Sequence, residues 1–160
     1  MGYYTRVFCK ADGKPALSQV LNHINNSGLD FKIEFNLGET DQNTTEWKEL
    51  ELIYKTGKLP ILVEYNSVSD DDGLAKEEIE EFLDEIGEAG ILAFNKKKIV
   101  RHLQATKYIV VTQLPTSDID DDGYNANGEL LKFFVDNYEG VIQADGEGFY
   151  EGTKIILKTE

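Results

Sequence analysis

The sequence predicts one compact α+β domain over residues 1–160, with helices packed on a mainly antiparallel sheet. Segments that alternate between apolar and polar residues, as strands do, are interspersed with segments whose apolar residues recur at helical spacing. Hydrophobic residues make up 41% of the chain, which is enough for a sizeable core at this length. No stretch rich in Pro, Gly or Ser divides the chain. Within this fold class we favour a ferredoxin-like arrangement, single or pseudo-duplicated.

The beginning of the chain predicts a strand followed by a helix. Residues 3–10 combine aromatic and β-branched side chains, which favour extended structure. Lys14-Pro15 then begins a helix with proline at its first position, where a missing backbone N–H is tolerated. Apolar residues recur at helical spacing up to Ile24, and Gly28 ends the helix as its C-terminal cap.

The next part of the chain predicts three strands. Residues 29–36 alternate regularly, which indicates one buried and one wet face, and a polar loop follows at 37–46. Alternation resumes near Leu50, and a further strand runs from Pro60 to Tyr65. We expect these last two strands to form a β-hairpin with a loop of about four residues.

The middle of the chain predicts two helices. An acidic turn at 69–73 precedes a helix over 74–88, and a short strand is expected at 91–94. A second, basic helix follows, with Asn95 as its N-terminal cap.

The last part of the chain predicts a central strand, a helix and a final hairpin. Residues 107–114 are the most apolar strand segment, so we place it at the centre of the sheet. A second acidic loop spans 117–128 and leads to a helix that Gly140 ends, with Asn127 as its N-terminal cap. The glycine-rich residues 145–148 predict a hairpin turn. The expected final strands are 141–144 and 153–157.

The two ends of the chain show weak internal symmetry between residues 3–56 and 107–158. Both segments predict strand, helix, strand and strand, and in both the helix ends at a glycine. A shift of 50 residues also superposes the acidic turn 70–73 on 120–123. The intervening helices share few identities, so the pattern alone does not establish a duplication.

Charge and cysteine content exclude several classes of protein. The formal net charge is −14, which argues against binding to nucleic acid because the phosphates would be repelled. The sequence contains no run of about 18 apolar residues, which is the length that would predict a membrane span. The N-terminus has no secretory pattern, and the single cysteine, Cys9, excludes an internal disulfide. We therefore expect a cytoplasmic protein in which Cys9 is a buried small hydrophobe.

The acidic loop at 118–129 matches the pattern of a calcium-binding loop. Asp118, Asp120 and Asp122 stand at the first, third and fifth positions, a glycine stands at the sixth, and Glu129 stands at the twelfth. Carboxylates at this spacing converge on Ca²⁺, and the backbone carbonyl of Tyr124 would complete the shell. The alternative is a turn that places negative charge before a helix, which the preceding Pro115 and the near-copy at 70–73 favour.

A second candidate site is the acidic stretch from Glu64 to Glu88, which holds eleven acidic residues and one lysine. An ordinary solvated helix face explains this composition. The alternative is a docking surface for a basic protein. The residues that we assign to such a surface are Glu77, Glu81, Asp84 and Glu88.

No enzyme motif is present in the sequence. The two histidines, His23 and His102, lie in separate segments, and no nucleophile elbow, phosphate loop or dinucleotide fingerprint occurs. We therefore expect a non-catalytic protein-binding or regulatory domain of the inhibitor or immunity type, with a basic protein as partner and no cofactor other than Ca²⁺. The alternatives are a calcium-binding module through 118–129 and an enzyme that uses a pair of carboxylates in a cleft.

Overall fold

The computed structural model describes residues 2–38, 43–88, 90 and 93–159. The strands are β1 (Gly2–Cys9), β2 (Glu34–Asn36), β3 (Glu49–Ile53), β4 (Ile61–Ser67), β5 (Tyr108–Pro115), β6 (Gly140–Ala144), β7 (Gly148–Glu151) and β8 (Lys154–Lys158). The helices are α1 (Leu17–Asn25), α2 (Leu74–Ile86), α3 (Phe94–Ala105) and α4 (Asp121–Tyr138). All strands pair antiparallel in one sheet of order β2-β3-β4-β5-β1-β6-β7-β8.

Helices cover both faces of the sheet. Successive residues of a strand point to opposite faces, and in β1 the side chain of Val7 joins one core while that of Phe8 joins the other. The first core contains the apolar faces of α1 and α4, and we name this side the first face. The second core contains those of α2 and α3, on the second face. The molecule therefore has three layers, with the sheet in the middle.

The predicted α+β class is confirmed, but the ferredoxin-like arrangement is not. The sheet is large and open, and its helices lie on both faces. The prediction that residues 107–114 form a central strand is correct, because β5 lies between β4 and β1 and its residues 108–112 are buried. Cys9 is fully buried, as expected.

The first predicted helix is too long at both ends. Helix α1 begins at Leu17, so Pro15 lies before the helix, where its carbonyl accepts a hydrogen bond from Trp47 Nε1 at 2.9 Å. The helix ends at Asn25, and Gly28 follows in a left-handed conformation with φ of 99°. The predicted strand 29–36 is reduced to β2, whose one partner strand among the described residues is β3.

The connection before α3 also differs from the prediction. Residues 91 and 92 of the expected short strand lie outside the described residues. Phe94 is the first residue of α3, so Asn95 is inside the helix and does not cap it.

The second acidic loop is shorter than predicted because α4 begins at Asp121 and not after Gly128. The Asp120 side chain caps this helix by accepting the backbone N–H of Gly123 at 3.1 Å. Asn127, the predicted cap, is instead buried in the middle of α4 and donates to the Thr5 hydroxyl at 3.2 Å. The early start has a physical cause, since the cap and the first-turn carboxylates both stabilise a helix N-terminus.

Candidate functional site

A groove runs over the second face of the sheet beside α2. Two adjoining cavities of about 430 and 510 Å³ form it, and both have Tyr4, Glu64 and Val111 in their walls. The groove exists because α2 and α3 leave the β2–β4 end of this face open. We name it the acidic groove, since its walls carry the glutamates of β3, β4 and α2. These are Glu49, Glu51, Glu64, Glu77, Glu78, Glu81 and Glu85.

The acidic groove also exposes apolar surface. Tyr4 is 38% exposed, Leu62 is 47% exposed and Leu74 is 44% exposed, and each contributes to a wall. Large apolar side chains are normally placed in a core, so three of them around one concave surface mark a surface suited to a partner. The groove therefore combines negative charge with apolar contact area.

Arg6 is the one basic residue in the described walls, and acidic partners already engage it. Its Nε donates to Glu78, and its Nη1 donates to Asp145 at 2.7 Å and to Gln143 at 2.6 Å. The guanidinium also lies near aromatic rings, with Cζ 5.2 Å from the centre of Phe82. These contacts fix Arg6 and place α2 against β1.

Neighbouring carboxylates affect one another in the acidic groove. Burial raises the pKa of Glu78, and the Arg6 guanidinium opposes this increase. The charges of Glu81 and Glu64 raise the pKa of Glu78 further. The concentration of like charge is therefore high enough to favour a cationic partner electrostatically.

An unpaired polar atom lies in the wall of the acidic groove. Asn66 is 4% exposed, and its Oδ1 has no hydrogen-bond partner among the described residues. Buried polar atoms in folded proteins are normally paired, so an exception at a cavity indicates a place for a donor from outside the chain.

The structure brings together only part of the predicted partner surface. Glu77 and Glu81 line the acidic groove, while Asp84 and Glu88 are exposed outside its walls. The groove-facing residues follow the helical period of α2, which gives Leu74, Glu77, Glu78, Glu81, Phe82 and Glu85. Sequence reasoning missed Glu78, and it also missed Tyr4, Arg6 and Asn66. The alternation of β1 could have placed Tyr4 and Arg6 on one face of a strand, but not beside α2.

Lysines and backbone groups engage the aspartates of the predicted calcium loop. Asp118 accepts the N–H of Leu59 at 2.6 Å, while Lys55 pairs with Asp120 at 2.6 Å and with Asp122 at 2.9 Å. Tyr124 and Glu129 belong to α4 and are therefore not part of a loop. Within the described residues, no group of three or more His, Cys, Asp or Glu is placed to hold a metal ion.

The two acidic turns have the same structural role. Each precedes a helix, and each binds a lysine that flanks β3. Lys48 pairs with Asp70 at 3.3 Å and with Asp72 at 3.1 Å. Lys55 makes the matching pairs with the second turn. This arrangement favours the interpretation of both turns as helix-leading turns.

Comparisons with known proteins add no family to these observations. No family model, curated protein or solved structure matches the chain. In the described part of the chain, no helix has the length and apolar character needed to cross a membrane.

Proposed function

We propose that this chain is a non-catalytic protein-binding domain whose acidic groove binds a basic segment of a partner protein. The observation that carries the proposal is the charge of the groove, where seven glutamates surround apolar side chains and the one arginine is paired within the chain. Complementary charge speeds the encounter with such a partner, and burial of the apolar side chains supplies affinity. An inhibitor or immunity-type protein that neutralises a basic partner fits this description.

The shape of the acidic groove suits an extended segment of a partner. The two cavities share Tyr4 and Glu64 in their walls, and together their walls reach from α2 to Asn36 in β2. A lysine or arginine side chain has an apolar stem and a charged head, so it can contact Leu62 or Leu74 and reach a glutamate. We assign the Asn66 Oδ1, which is buried in this wall without a partner among the described residues, as the acceptor for a backbone or side-chain N–H of the partner.

The same contacts favour binding over catalysis. An enzyme that uses two carboxylates needs one of them as a proton donor or nucleophile. Glu78, whose pKa is raised by burial, is the groove carboxylate closest to that description, but Arg6 engages it. We therefore assign Glu78 a structural role beneath the partner surface.

Charge reversal inside and outside the groove tests the proposal. The double variant Glu77→Lys/Glu81→Lys changes the groove wall. The variant Asp84→Lys/Glu88→Lys makes the same change of net charge outside that wall, in the last turn of α2 and just after its end. Affinity capture followed by mass spectrometry should recover a basic protein with the wild type and the outer variant and lose it with the groove variant. Equal loss with both variants, or no loss with either, would contradict the proposal.

A further inference from the structure

A second cleft lies at the other end of the sheet, under the hairpin of β7 and β8. The β6–β7 ladder consists of two residue pairs, Gln143 with Phe149 and Ala144 with Gly148. The hairpin therefore separates from the first part of β6, and two adjoining cavities of about 520 and 660 Å³ remain there. Both have Ile142 in their walls. We name them together the hairpin cleft.

The larger of the two cavities, which we name the polar chamber, contains an anchored carboxylate. Glu147 accepts hydrogen bonds from the hydroxyls of Tyr3 and Tyr150, one at each carboxylate oxygen. Burial and the hydrogen bond to Glu147 raise the pKa of Tyr150 to about 12, so the Tyr150 hydroxyl keeps its proton and remains a donor. Glu147 is the one charged side chain among the described residues of this wall, and it retains lone pairs for a further donor.

The same chamber has an unpaired acceptor. Asn127 is 5% exposed, and its Nδ2 donates to the hydroxyl of Thr5, which also bonds the buried Thr112 hydroxyl. The Asn127 Oδ1 has no partner among the described residues. The polar chamber thus offers an acceptor and a negative charge, both of which suit a ligand with N–H donors and a positive charge.

The smaller cavity, which we name the apolar chamber, suits a hydrocarbon group. Its walls include Val135, Val141 and Ile156, and the charged residues of its wall come in equal numbers of each sign. One opposite pair, Lys98 with Glu151, is joined at 2.8 Å. This chamber therefore has no preference for a charged ligand.

We propose that the hairpin cleft binds a small amphipathic amine. Its ammonium group lies beside Glu147 and the tyrosine rings, which attract cations through their faces, and donates to Asn127 Oδ1. Its hydrocarbon body occupies the apolar chamber, whose size is within the range of small-molecule sites. A carboxylic acid of the same length would face Glu147 and bind poorly.

Octylamine, octanoate and octanol form a matched set of probes for this site, to be titrated by calorimetry at neutral pH. Octylamine should bind, and both other probes should bind at least tenfold more weakly. Gly128 lies in the wall of the apolar chamber, and a Cβ built there meets nothing within 4 Å. Gly128→Leu should therefore fill the chamber and weaken octylamine binding at least tenfold, whereas Gly128→Ala should bind like the wild type. Glu147→Gln should also weaken binding at least tenfold.

Three results would overturn the proposal. The first is octanol or octanoate binding as tightly as octylamine, and the second is unchanged octylamine affinity in both Gly128→Leu and Glu147→Gln. The third concerns the acidic groove. The groove variant Glu77→Lys/Glu81→Lys should keep its affinity for octylamine, because those residues lie in the acidic groove. Loss of affinity in that variant would instead show attraction to the general negative charge and would contradict a site at the hairpin cleft.

Discussion

Arg6 joins the sheet to α2 at the floor of the acidic groove. Its side chain is 14% exposed and bridges Glu78 of α2 and Asp145 of the turn after β6. Removal of one partner from such a pair leaves the other charge poorly compensated, and this costs more than the pair itself contributes. The contacts of Arg6 therefore determine how α2 lies against the sheet.

We expect Arg6→Met to lower the free energy of unfolding by about 2–4 kcal/mol at neutral pH. Burial raises the pKa of Glu78, and loss of Arg6 removes the interaction that opposes it. In Arg6→Met the charged Glu78 carboxylate is buried without its partner, which destabilises the folded state until Glu78 is protonated. The stability lost in Arg6→Met should therefore shrink as the pH falls through the raised pKa of Glu78 and below its ordinary value of 4.5.

Urea unfolding of wild type, Arg6→Met and Arg6→Met/Glu78→Gln at neutral and acidic pH measures this effect. The double variant should recover part of the lost stability, since it carries no uncompensated charge at position 78. A loss that is independent of pH, with no recovery in the double variant, would show that Arg6 acts through packing alone.

Cys9 should be unreactive in the folded protein. Burial raises the pKa of Cys9 to about 12, and the thiolate is the reactive form. At pH 8 we expect an alkylating reagent to modify Cys9 about 100-fold more slowly, or slower still, in the native protein than in the urea-unfolded protein. A thiol titration with and without denaturant measures the ratio, and native reaction at the unfolded rate would instead make Cys9 an accessible nucleophile.

At the scale of elements, the start of α4 depends on Asp120. We expect Asp120→Ala to lower the melting temperature by about 3 °C, because the helix loses its N-terminal cap. Asp120→Asn should lower it less, since asparagine also caps helices. The hydrogen bond from Lys55 lowers the pKa of Asp120 below its ordinary value of 3.8. The contribution of ionised Asp120 to the stability of the folded protein is therefore present above pH 3.8 and is lost as the pH falls below that value.

Calorimetric scans of the three proteins at neutral pH and at pH 3 test this prediction. Equal melting temperatures for the wild type and Asp120→Ala at neutral pH would contradict the capping role. Scans with added Ca²⁺ separate capping from the calcium hypothesis. An increase in melting temperature that Asp120→Ala abolishes, and that Mg²⁺ does not reproduce, would establish a metal site at 118–129.

Local periodicity predicted most elements, and tertiary contacts explain where it failed. The spacing of Leu130, Leu131 and Phe134 identified the second half of α4, whereas Gly123 suggested a loop. A Cβ at Gly123 would lie 2.5 Å from the Ile119 side chain and 2.8 Å from Tyr54. This glycine therefore permits close packing inside a helix, and no sequence pattern distinguishes that role from a turn.

The candidate site was predicted only where it belongs to one element. The acidic face of α2 is local in sequence, and it supplied Glu77 and Glu81. The other side of the acidic groove comes from β1 and β4, which are separated from α2 along the chain. The side chains of Arg6 and Asn66 could therefore not be assigned to it without knowledge of the strand order.

At the scale of the whole molecule, the net charge of −14 opposes compaction through self-repulsion. Salt screens this repulsion, so the free energy of unfolding in urea should increase by about 1 kcal/mol between low salt and 0.5 M NaCl. The outer variant Asp84→Lys/Glu88→Lys should gain less from salt, because its net charge is closer to zero. A stability that falls with salt would show that ion pairs outweigh the repulsion.

The central claim is that the acidic groove binds basic segments at a defined place. NMR titration of ¹⁵N-labelled protein with a peptide of alternating lysine and leucine tests it most directly, with an alternating glutamate and leucine peptide as control. Chemical-shift changes from the lysine peptide should concentrate at Tyr4, Glu64, Glu77 and Glu81, and the control should cause none. Changes of similar size at Asp84, Glu88 and the acidic turns would show attraction to charge alone and would contradict a groove-specific site.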